Sequence, residues 1–412
     1  MVPNGWDVQS LSSITKWSSG GTPSKNNPDY WNGEIPWISA ASMRGHYFEK
    51  SELRITDLAV SNGAKMAPKD SLLLLVRGSM LWNKIPVGIT AKKVSFNQDV
   101  KCLVPHVDEL TTEFLLYWFL TYEHRLMNMV TGTGIGAGKL DTTDLQSLDV
   151  FLPPLPEQRK IAQILSTWDR GIATTEKLID ASKQQKKALM QQLLTGKKRL
   201  VDPETGKAFE GEWERHSLSD LVYVDRKSLG KKTPDNFKFK YISLSHVDFG
   251  VISKELEVHE FSAAPSRARR VLQDGDILMS TVRPNLKGFA KVTSCYADCI
   301  ASTGFAVLTP KKKVSGDYIY QYIFSAHVTG QIDSLVVGSN YPAINSSDVS
   351  GLKVYCPAFE EQQKIASVLT AVDKDIELLE AKLAHLKQEK KALMQQLLTG
   401  KRRVQVAETE AA

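Results

Sequence analysis

Apolar residues follow a regular spacing over two long stretches of the chain, near residues 155–195 and 359–399. In the second stretch, alternating steps of four and three positions select ten residues, of which nine are apolar. These residues are Ile365, Leu369, Val372, Ile376, Leu379, Leu383, Leu386, Lys390, Leu393 and Leu397. Such a narrow seam is typical of a helix that packs on another helix. Each stretch predicts a helix of about 39 residues, which is ~58 Å long at 1.5 Å per residue.

The two helical stretches are copies of each other. The segment KKALMQQLLTGK occurs at residues 186–197 and again, unchanged, at residues 390–401, which is 204 positions later. At the same offset, LPEQRKIAQIL (155–165) corresponds to FEEQQKIASVL (359–369), and fainter matches extend towards the start of each half. The sequence therefore predicts a tandem duplication whose helices share one role and whose remaining parts have diverged.

The helix ends and the seam predict an antiparallel pair. Pro156 and Glu157 suit the start of the first helix, and Glu360 and Glu361 suit the start of the second. The glycine of each Thr-Gly-Lys suits a helix end. Alignment of the ends places Ile161 opposite Leu397, and it places the seam residues Lys186 and Lys390 opposite large apolar side chains. We expect the lysine stems to lie along these partners while the ammonium groups reach water. The alternative is that each helix packs only on its own domain.

Outside the helices, the chain predicts two domains of mixed α/β structure. Strand-like runs are SLLLLVR (71–77), VKCLVP (100–105), FKYISL (239–244), DILMSTV (276–282) and FAVLTP (305–310). Stretches 111–128 and 316–327 predict helices. The predicted fold class is α+β, with two mixed α/β domains separated by a long antiparallel two-helix coiled coil and an internal pseudo-two-fold repeat. The predicted segments are a first variable domain (1–150), a first helix (151–200), a linker with a second variable domain (201–355), and a second helix with a tail (356–412).

Composition limits the class of protein only loosely. The chain has 412 residues and a net charge of +6, which is compatible with a polyanionic partner. Its four cysteines have no metal-ligand spacing, so we interpret them as reduced thiols. No apolar run reaches the roughly 20 residues of a membrane span, and the N-terminus lacks the pattern of a signal peptide. We therefore expect a cytoplasmic protein.

Cationic and amide side chains in loops are candidate nucleic-acid contacts. Lysine and arginine bind phosphates, and arginine and asparagine also bind base edges. The candidates in the first half are Arg44, Arg77, Lys84, Lys92 and Lys93. Those in the second half are Arg226, Lys227, Arg283, Asn285 and Lys287. For any one of them a solvated surface position is the simpler interpretation. Arg77 and Arg283 are the strongest candidates, because each follows an apolar strand at an equivalent place in its half.

Motifs of catalysis are not recognisable in the sequence. GTGIGAGK (132–139) resembles a phosphate-binding loop, but Leu140 stands where that motif requires Ser or Thr, so we interpret it as a flexible loop. NPDY (27–30) approaches an amino-methyltransferase signature, but Asp29 breaks it, and we interpret it as a turn. We expect no catalytic residue, no cofactor and no metal in this chain.

The layout of two divergent domains and two near-identical helices resembles the specificity subunits of type I restriction–modification systems. The likeness covers essentially the whole chain. Its most specific parts are SGGTPSKNNPDYWNGEIPWIS (19–39) and the two helix starts, LPPLPEQRKIAQIL and CPAFEEQQKIASVL. The second domain departs from the pattern, since KSLGKKTPDNFKFKYIS (227–243) lacks the Gly-Gly-Thr-Pro form.

The resemblance implies a protein that reads DNA without catalysis of its own. Each variable domain would be a target-recognition domain for one half of a split double-stranded site. The helices would set the gap and bind two methyltransferase subunits, which methylate adenine with S-adenosylmethionine. Restriction subunits, which use ATP and Mg²⁺, would complete the complex. Two other classes remain open, namely an enzyme with an unfamiliar active site and a two-domain ligand-binding scaffold on a coiled-coil stalk that does not act on DNA.

Overall fold

Two compact units make up the protein. A computed structural model describes residues 2–134, 136–202, 204–336 and 342–406. Unit 1 consists of Met1–Glu176 and Ala381–Ala412, and unit 2 is Lys177–Glu380. Each unit thus contains one variable domain, one part of the first long helix and one part of the second. The four-segment division made from the sequence stays a prediction.

Unit 1 is a mixed α/β structure with four small sheets. Its strands are β1 (Asp7–Ser10), β2 (Thr15–Ser19), β3 (Trp31–Ile38), β4 (Tyr47–Phe48), β5 (Arg54–Ile55), β6 (Met66–Ala67), β7 (Leu72–Leu75), β8 (Arg77–Gly78), β9 (Val87–Thr90), β10 (Val94–Phe96), β11 (Val100–Pro105), β12 (Thr131–Gly132), β13 (Gly138–Lys139) and β14 (Asp149–Leu152). Its helices are α1 (Asp57–Ser61), α2 (Thr112–Thr121), α3 (Glu123–Asn128), α4 (Thr142–Gln146) and the first part of α5 (Leu155–Leu193). The strand orders are β2-β11-β7-β9-β4, β5-β3-β10-β6, β12-β13-β8 and β1-β14.

Unit 2 is built in the same way. Its strands are β15 (Glu214–Ser217), β16 (Val222–Val224), β17 (Lys238–Ile242), β18 (Val247–Asp248), β19 (Val251–Ile252), β20 (Val258–Glu260), β21 (Ala268–Val271), β22 (Ile277–Ser280), β23 (Phe289–Lys291), β24 (Ile300–Ser302), β25 (Phe305–Pro310) and β26 (Lys353–Cys356). Its helices are α6 (Leu218–Leu221), α7 (Gly316–Ile323), α8 (Ala326–Leu335), α9 (Ser346–Gly351) and the first part of α10 (Phe359–Leu397). The strand orders are β16-β25-β22-β23, β20-β17-β24-β21, β15-β26 and β18-β19.

The duplication extends to the sheet topology. The order β2-β11-β7-β9 of unit 1 returns as β16-β25-β22-β23 in unit 2, and β5-β3-β10-β6 returns as β20-β17-β24-β21. In each of the latter sheets the central pair is parallel, β3 with β10 and β17 with β24. The predicted α+β fold with an internal repeat is confirmed, although most of the short strands outside the apolar runs were not predicted.

Apolar side chains of the central strands and of one helix form the main core of each unit. In unit 1 the four leucines of β7 are completely buried, as is Phe114 of α2. Helix α2 begins where the Thr111 hydroxyl accepts a hydrogen bond from the Phe114 amide, which satisfies one free donor of the first turn. Helix α7 of unit 2 begins in the same way, with Ser315 accepting from Tyr318. Both stretches predicted as helices therefore start at a capping residue.

The two long helices pair in antiparallel fashion within each unit. In unit 1 the Lys390 ammonium pairs with Asp169, and in unit 2 Lys186 pairs with Asp373 at 2.6 Å. A second ion pair between the helices also occurs at equivalent positions in both units. It joins Lys387 to Glu176 in unit 1 and Lys183 to Glu380 in unit 2, each at 2.7 Å. Ile161, Leu165 and Leu397 share the core of unit 1. The predicted antiparallel seam and its register are confirmed.

The expected solvation of the seam lysines is wrong. The Lys390 side chain is only 12% exposed and that of Lys186 is only 18% exposed, because each ammonium turns to an aspartate beside the seam. In unit 1 the same aspartate, Asp169, also accepts a hydrogen bond of 2.7 Å from the Tyr117 hydroxyl. Burial of a lysine requires such a counter-charge, and the aspartate therefore ties the helix pair to the variable domain.

A buried glutamate in the first turn of each long helix anchors the end of the other. In unit 2, Arg199 donates two hydrogen bonds of 2.7 Å to Glu361, whose side chain is completely buried. In unit 1, Arg403 donates two hydrogen bonds of 2.6 Å to Glu157. The Glu157 carboxylate also accepts a hydrogen bond of 3.1 Å from the Trp6 indole. The corresponding indole, Trp213, has no hydrogen-bond partner among the described residues.

This difference predicts unequal effects of two equivalent substitutions. Arg199→Ala should lower the free energy of unfolding by roughly 3 kcal/mol, because it leaves a buried carboxylate without its cation. Arg403→Ala should cost less, since Arg403 is 43% exposed and Trp6 still donates to Glu157. Urea unfolding of the two variants and of the exposed control Lys401→Ala measures this. Equal losses for both arginines would contradict the ranking.

Candidate nucleic-acid interface

Some of the candidate cations of unit 1 lie at one end of the five-stranded sheet, where the loop between β7 and β9 is found. Arg77 and Lys84 are exposed within this loop. Strand β4 runs parallel to β9 with Tyr47 beside Ile89, so Arg44, three residues before β4, lies at the same end. Three of the five predicted residues of the first half are thereby brought together.

The glycine-rich segment is a β-hairpin that supports this loop. Strands β12 and β13 pair with each other, and β13 pairs with β8, which places Lys139 beside Arg77. A Cβ atom at Gly138 would lie 3.1 Å from Cβ of Leu81 and 2.7 Å from the Val130 side chain, so glycine permits the close approach. Of residues 132–139, Gly132, Gly138 and Lys139 therefore lie in strands, and the described residues between them form the connecting loop. The interpretation as a loop holds for that middle part only, and its flexibility stays a prediction.

The β22–β23 loop is the counterpart in unit 2. Arg283, Asn285 and Leu286 are exposed in it. The Arg283 amide donates a hydrogen bond of 2.7 Å to the carbonyl of Pro342. Val282 forms an antiparallel β-bridge with Ala343. Pro342 and Ala343 thus pair with this loop as β13 pairs with β8. The two loops are equivalent, but the predicted arginines are one position apart. Leu140 and Ile344 donate to the carbonyls of Val76 and Thr281, which aligns Arg77 with Val282 and places Arg283 one residue further along its loop.

Lys287 differs from the other predicted cations of this loop. Its ammonium donates a hydrogen bond of 3.2 Å to the carbonyl of Phe324, and the residue is half-buried. Burial lowers the pKa of the Lys287 ammonium, and the charge of Asp333 opposes that shift. Lys287 therefore fixes the end of the loop against the helical part of unit 2.

The remaining predicted residues lie elsewhere. Lys92 and Lys93 follow the other end of β9, opposite to the Arg77 loop. In unit 2, Arg226 lies 4.9 Å from the ring centre of Tyr223, in a cation–π contact. The backbone carbonyl of the next residue, Lys227, accepts a hydrogen bond of 3.1 Å from the Val271 amide. The structure does not join these four residues to the two loops, and any nucleic-acid contact by them stays a prediction.

The backbone of Arg283 suggests a test of the loop's construction. Arg283 has φ = 49° and Lys287 has φ = 53°, in the left-handed region that costs a non-glycine residue about 1–2 kcal/mol. The free energy of unfolding of Arg283→Gly should therefore exceed that of Arg283→Ala by about 1 kcal/mol, although both variants lose the guanidinium. At Asn285, inside the 3₁₀ turn Pro284–Leu286, alanine should be the more stable substitution. Urea unfolding of the glycine and alanine variants at both positions measures these differences. If the same residue type is the more stable at positions 283 and 285, the argument is refuted.

Across the described ranges, no three His, Cys, Asp or Glu residues lie close enough together to hold a metal ion. No helix in the same ranges is long and apolar enough to cross a membrane. The four cysteines are unpaired, and burial raises the pKa of the Cys356 thiol to about 12.

Sequence comparisons place these features among known proteins. Residues 3–183 and 210–388 each match the family model described as the type I restriction modification DNA specificity domain. The type I restriction enzyme MjaVIII specificity subunit of Methanocaldococcus jannaschii is 26% identical over 98% of this chain and 94% of its own length. The EcoR124I/EcoR124II specificity subunit of Escherichia coli is 32% identical over 39% of this chain and 40% of its own.

The fold is shared with a solved structure. The crystal structure of a type I restriction-modification S subunit from M. genitalium superimposes with a TM-score of 0.60. The alignment covers 96% of this chain and 99% of that chain, at 17% sequence identity. At this identity the likeness concerns the fold, and the two matched family segments carry the assignment of the family.

Proposed function

Because the chain belongs to the type I restriction modification DNA specificity domain family, we propose that it is the non-catalytic subunit that reads a split DNA site. Unit 1 reads one half-site and unit 2 reads the other. The observation that carries this proposal is the same loop, at the same place in the duplicated sheet, with Arg77 in one unit and Arg283 in the other. The sequences of the two loops differ, as readers of different bases require.

The side chains of these loops are suited to bind both the phosphate backbone and the base edges of DNA. Arg44, Lys84 and Lys139 are cations suited to phosphate oxygens, which set the register of the protein on the duplex. Arg77 and Arg283 are suited to bidentate contacts with guanine, and Asn285 to adenine. We propose these three as base-reading residues, because each is exposed in a loop whose backbone is paired to a neighbouring strand or ends at a fixed residue.

Two equivalent partner subunits bind the duplicated helices. Within KKALMQQLLTGK, the exposed positions of α5 are Lys187, Ala188, Gln191 and Gln192, and the same four residues recur exposed in α10. Gln395 also donates a hydrogen bond of 3.1 Å to the carbonyl of Thr121, but packing does not require identity at the other solvent-facing positions. Directly upstream the identity ends, since Gln185 of α5 is replaced by Glu389 of α10, and both are exposed. Two methyltransferase subunits that dock on these matching faces account for the pattern.

The chemistry of modification and restriction belongs to the partners. We propose that methyltransferase subunits bring S-adenosylmethionine and methylate adenine, and that restriction subunits bring ATP and Mg²⁺. This chain selects the DNA sequence at which the partners act. A cytoplasmic location goes with this assignment.

Salt dependence and turnover test the proposal together. The complex of this chain with its methyltransferase should bind a duplex containing its site with an affinity that falls steeply with salt, by a log–log slope of about −0.9 per phosphate contact. Substitution of one contacting cation, Lys84→Ala, should reduce that slope by about 0.9. The purified chain alone should transfer no methyl group and cut no DNA. Methyl transfer by the chain alone, or an affinity for DNA indifferent to salt, would contradict the proposal.

A further inference from the structure

A large apolar side chain is exposed on the candidate reading loop of each unit. Trp82 in the β7–β9 loop is 48% exposed, and Leu286 in the β22–β23 loop is 63% exposed. Single exposed apolar residues are common on protein surfaces and need no explanation. Here, however, an exposed apolar residue recurs in the equivalent loop of two diverged copies, with a different residue in each.

Both side chains sit at a 3₁₀ turn that neighbouring contacts hold in place. The first turn is Ser79–Trp82 and the second is Pro284–Leu286. In the first, Leu81 is buried, and in the second, Pro284 is buried. Each loop therefore anchors one apolar residue in the unit and leaves another outside.

The indole of Trp82 is fixed by the glycine-rich hairpin. Its Nε1 donates a hydrogen bond of 3.0 Å to the carbonyl of Gly136. A Cβ atom at Gly132 would lie 4.0 Å from the indole, so the ring packs against the hairpin backbone. With one edge bound to the hairpin, the exposed surface of the ring has a set orientation, which lowers the entropy lost on binding.

The second turn is fixed from both of its ends. The Arg283 amide is bonded to the Pro342 carbonyl, and the Lys287 ammonium is bonded to the Phe324 carbonyl. Left-handed backbone at both positions closes the turn tightly around Leu286. Both units thus hold in place a turn that carries an exposed apolar side chain, through different local contacts.

Charge surrounds each tip. Arg77 and Lys84 are exposed in the loop that carries Trp82, and Arg283 and Asn285 are exposed in the loop that carries Leu286. An apolar residue flanked by cations fits a duplex, whose phosphates bind the cations while its stacked bases offer an apolar interior. A purely apolar protein partner would instead offer Arg77 and Lys84 no counter-charge.

We propose that Trp82 and Leu286 act as wedges, each entering between two base pairs of its half-site and partly unstacking that step. The inference rests on the proposed function, because it needs each loop to face DNA. Apolar wedges between base steps are a general means of bending a duplex. The cost of unstacking depends on the step, and pyrimidine–purine steps deform most easily. Each wedge therefore adds a preference for a deformable step that no hydrogen bond to a base edge would reveal.

Fluorescence of 2-aminopurine measures this directly. The probe is a duplex carrying the site that methylation mapping identifies, with 2-aminopurine placed in turn at adenines of each half-site other than the methylated one. The complex of this chain with its methyltransferase should raise the fluorescence at one step in each half-site. Trp82→Ala should abolish the rise in the half-site of unit 1 alone, and Leu286→Ala should abolish it in the other alone. The Trp82→Ala loss should weaken specific binding by about 5- to 150-fold, the range for loss of one aromatic stacking contact.

Three controls make the result decisive. Trp82→Phe should restore most of the signal, since phenylalanine also inserts between bases. Val107→Ala should leave it unchanged, because Val107 is 77% exposed but follows the far end of β11, away from the Arg77 loop. Each wedge variant is also the control for the other half-site.

The outcomes separate the wedge from the function it rests on. Specific binding with no fluorescence rise in the wild-type complex, or with a rise that survives both alanine variants, overturns the wedges and leaves DNA reading intact. Loss of methyltransferase association in Trp82→Ala identifies a protein partner as the occupant and also overturns the inference. Failure of the wild-type complex to bind any duplex specifically overturns the proposed function itself.

Discussion

A chain in which residues 210–356 replace residues 3–152 should recognise a DNA site whose two halves carry the same bases. The strands β15 and β26 that open and close the inserted segment pair as β1 and β14 do in the segment they replace. The helices that follow begin with similar sequences and use the same anchoring glutamate, Glu157 or Glu361. The exchange therefore preserves the contacts between each variable domain and its helices.

The reciprocal exchange is the matched control. A chain in which residues 3–152 replace residues 210–356 should recognise two copies of the other half-site. Methylation mapping in cells that express each chain with the methyltransferase measures both. If either exchange alters both halves of the site, or yields a sequence found in neither half, the two units are not independent readers.

Insertion of seven residues into both long helices should widen the gap between the half-sites. The insertions belong between residues 176 and 177 and between residues 380 and 381. All four lysine–carboxylate pairs between the helices then stay on their own side of the insertions, and a full heptad preserves the seam. Seven residues add ~10 Å of helix, which corresponds to about three base pairs at 3.4 Å each.

Rotation along the duplex limits this gain. About three base pairs turn the second half-site by nearly a third of the roughly 10.5-base-pair helical repeat, so the complex must twist or bend and should bind more weakly. The half-sites should not change. A seven-residue insertion in one helix only is the control, and it should disrupt the pair and abolish methylation. A folded, active double-insertion variant with the original gap would show that the helices do not set the spacing.

The helix pair was predictable because its signals are local. A heptad seam is visible in one dimension, and the antiparallel register followed from aligning the helix ends. The environment of Lys186 and Lys390 was not predictable in this way. Asp373 and Asp169 stand one residue beyond the seam, and only the three-dimensional pairing shows that each faces a lysine of the other helix.

The reading loops were only partly predictable. Arg77 and Arg283 were identifiable because each follows a strongly apolar strand, a signal confined to a few residues. Trp82 and Lys139 were missed, because their positions depend on a hairpin that begins near residue 131 and pairs with Arg77 from more than 50 residues away. Its glycines were the available signal, since close backbone approach explains them better than phosphate binding does.

Sequencing of methylated DNA from cells that express this chain with its methyltransferase tests the central claim most directly. The account predicts methylated adenines within one split motif, composed of two specified half-sites and a gap of fixed length. Arg77→Ala should relax a position in one half only, and Arg283→Gly should relax a position in the other half only. Methylation without a split motif, or with both variants relaxing the same half, would contradict the claim that each unit reads one half of the site.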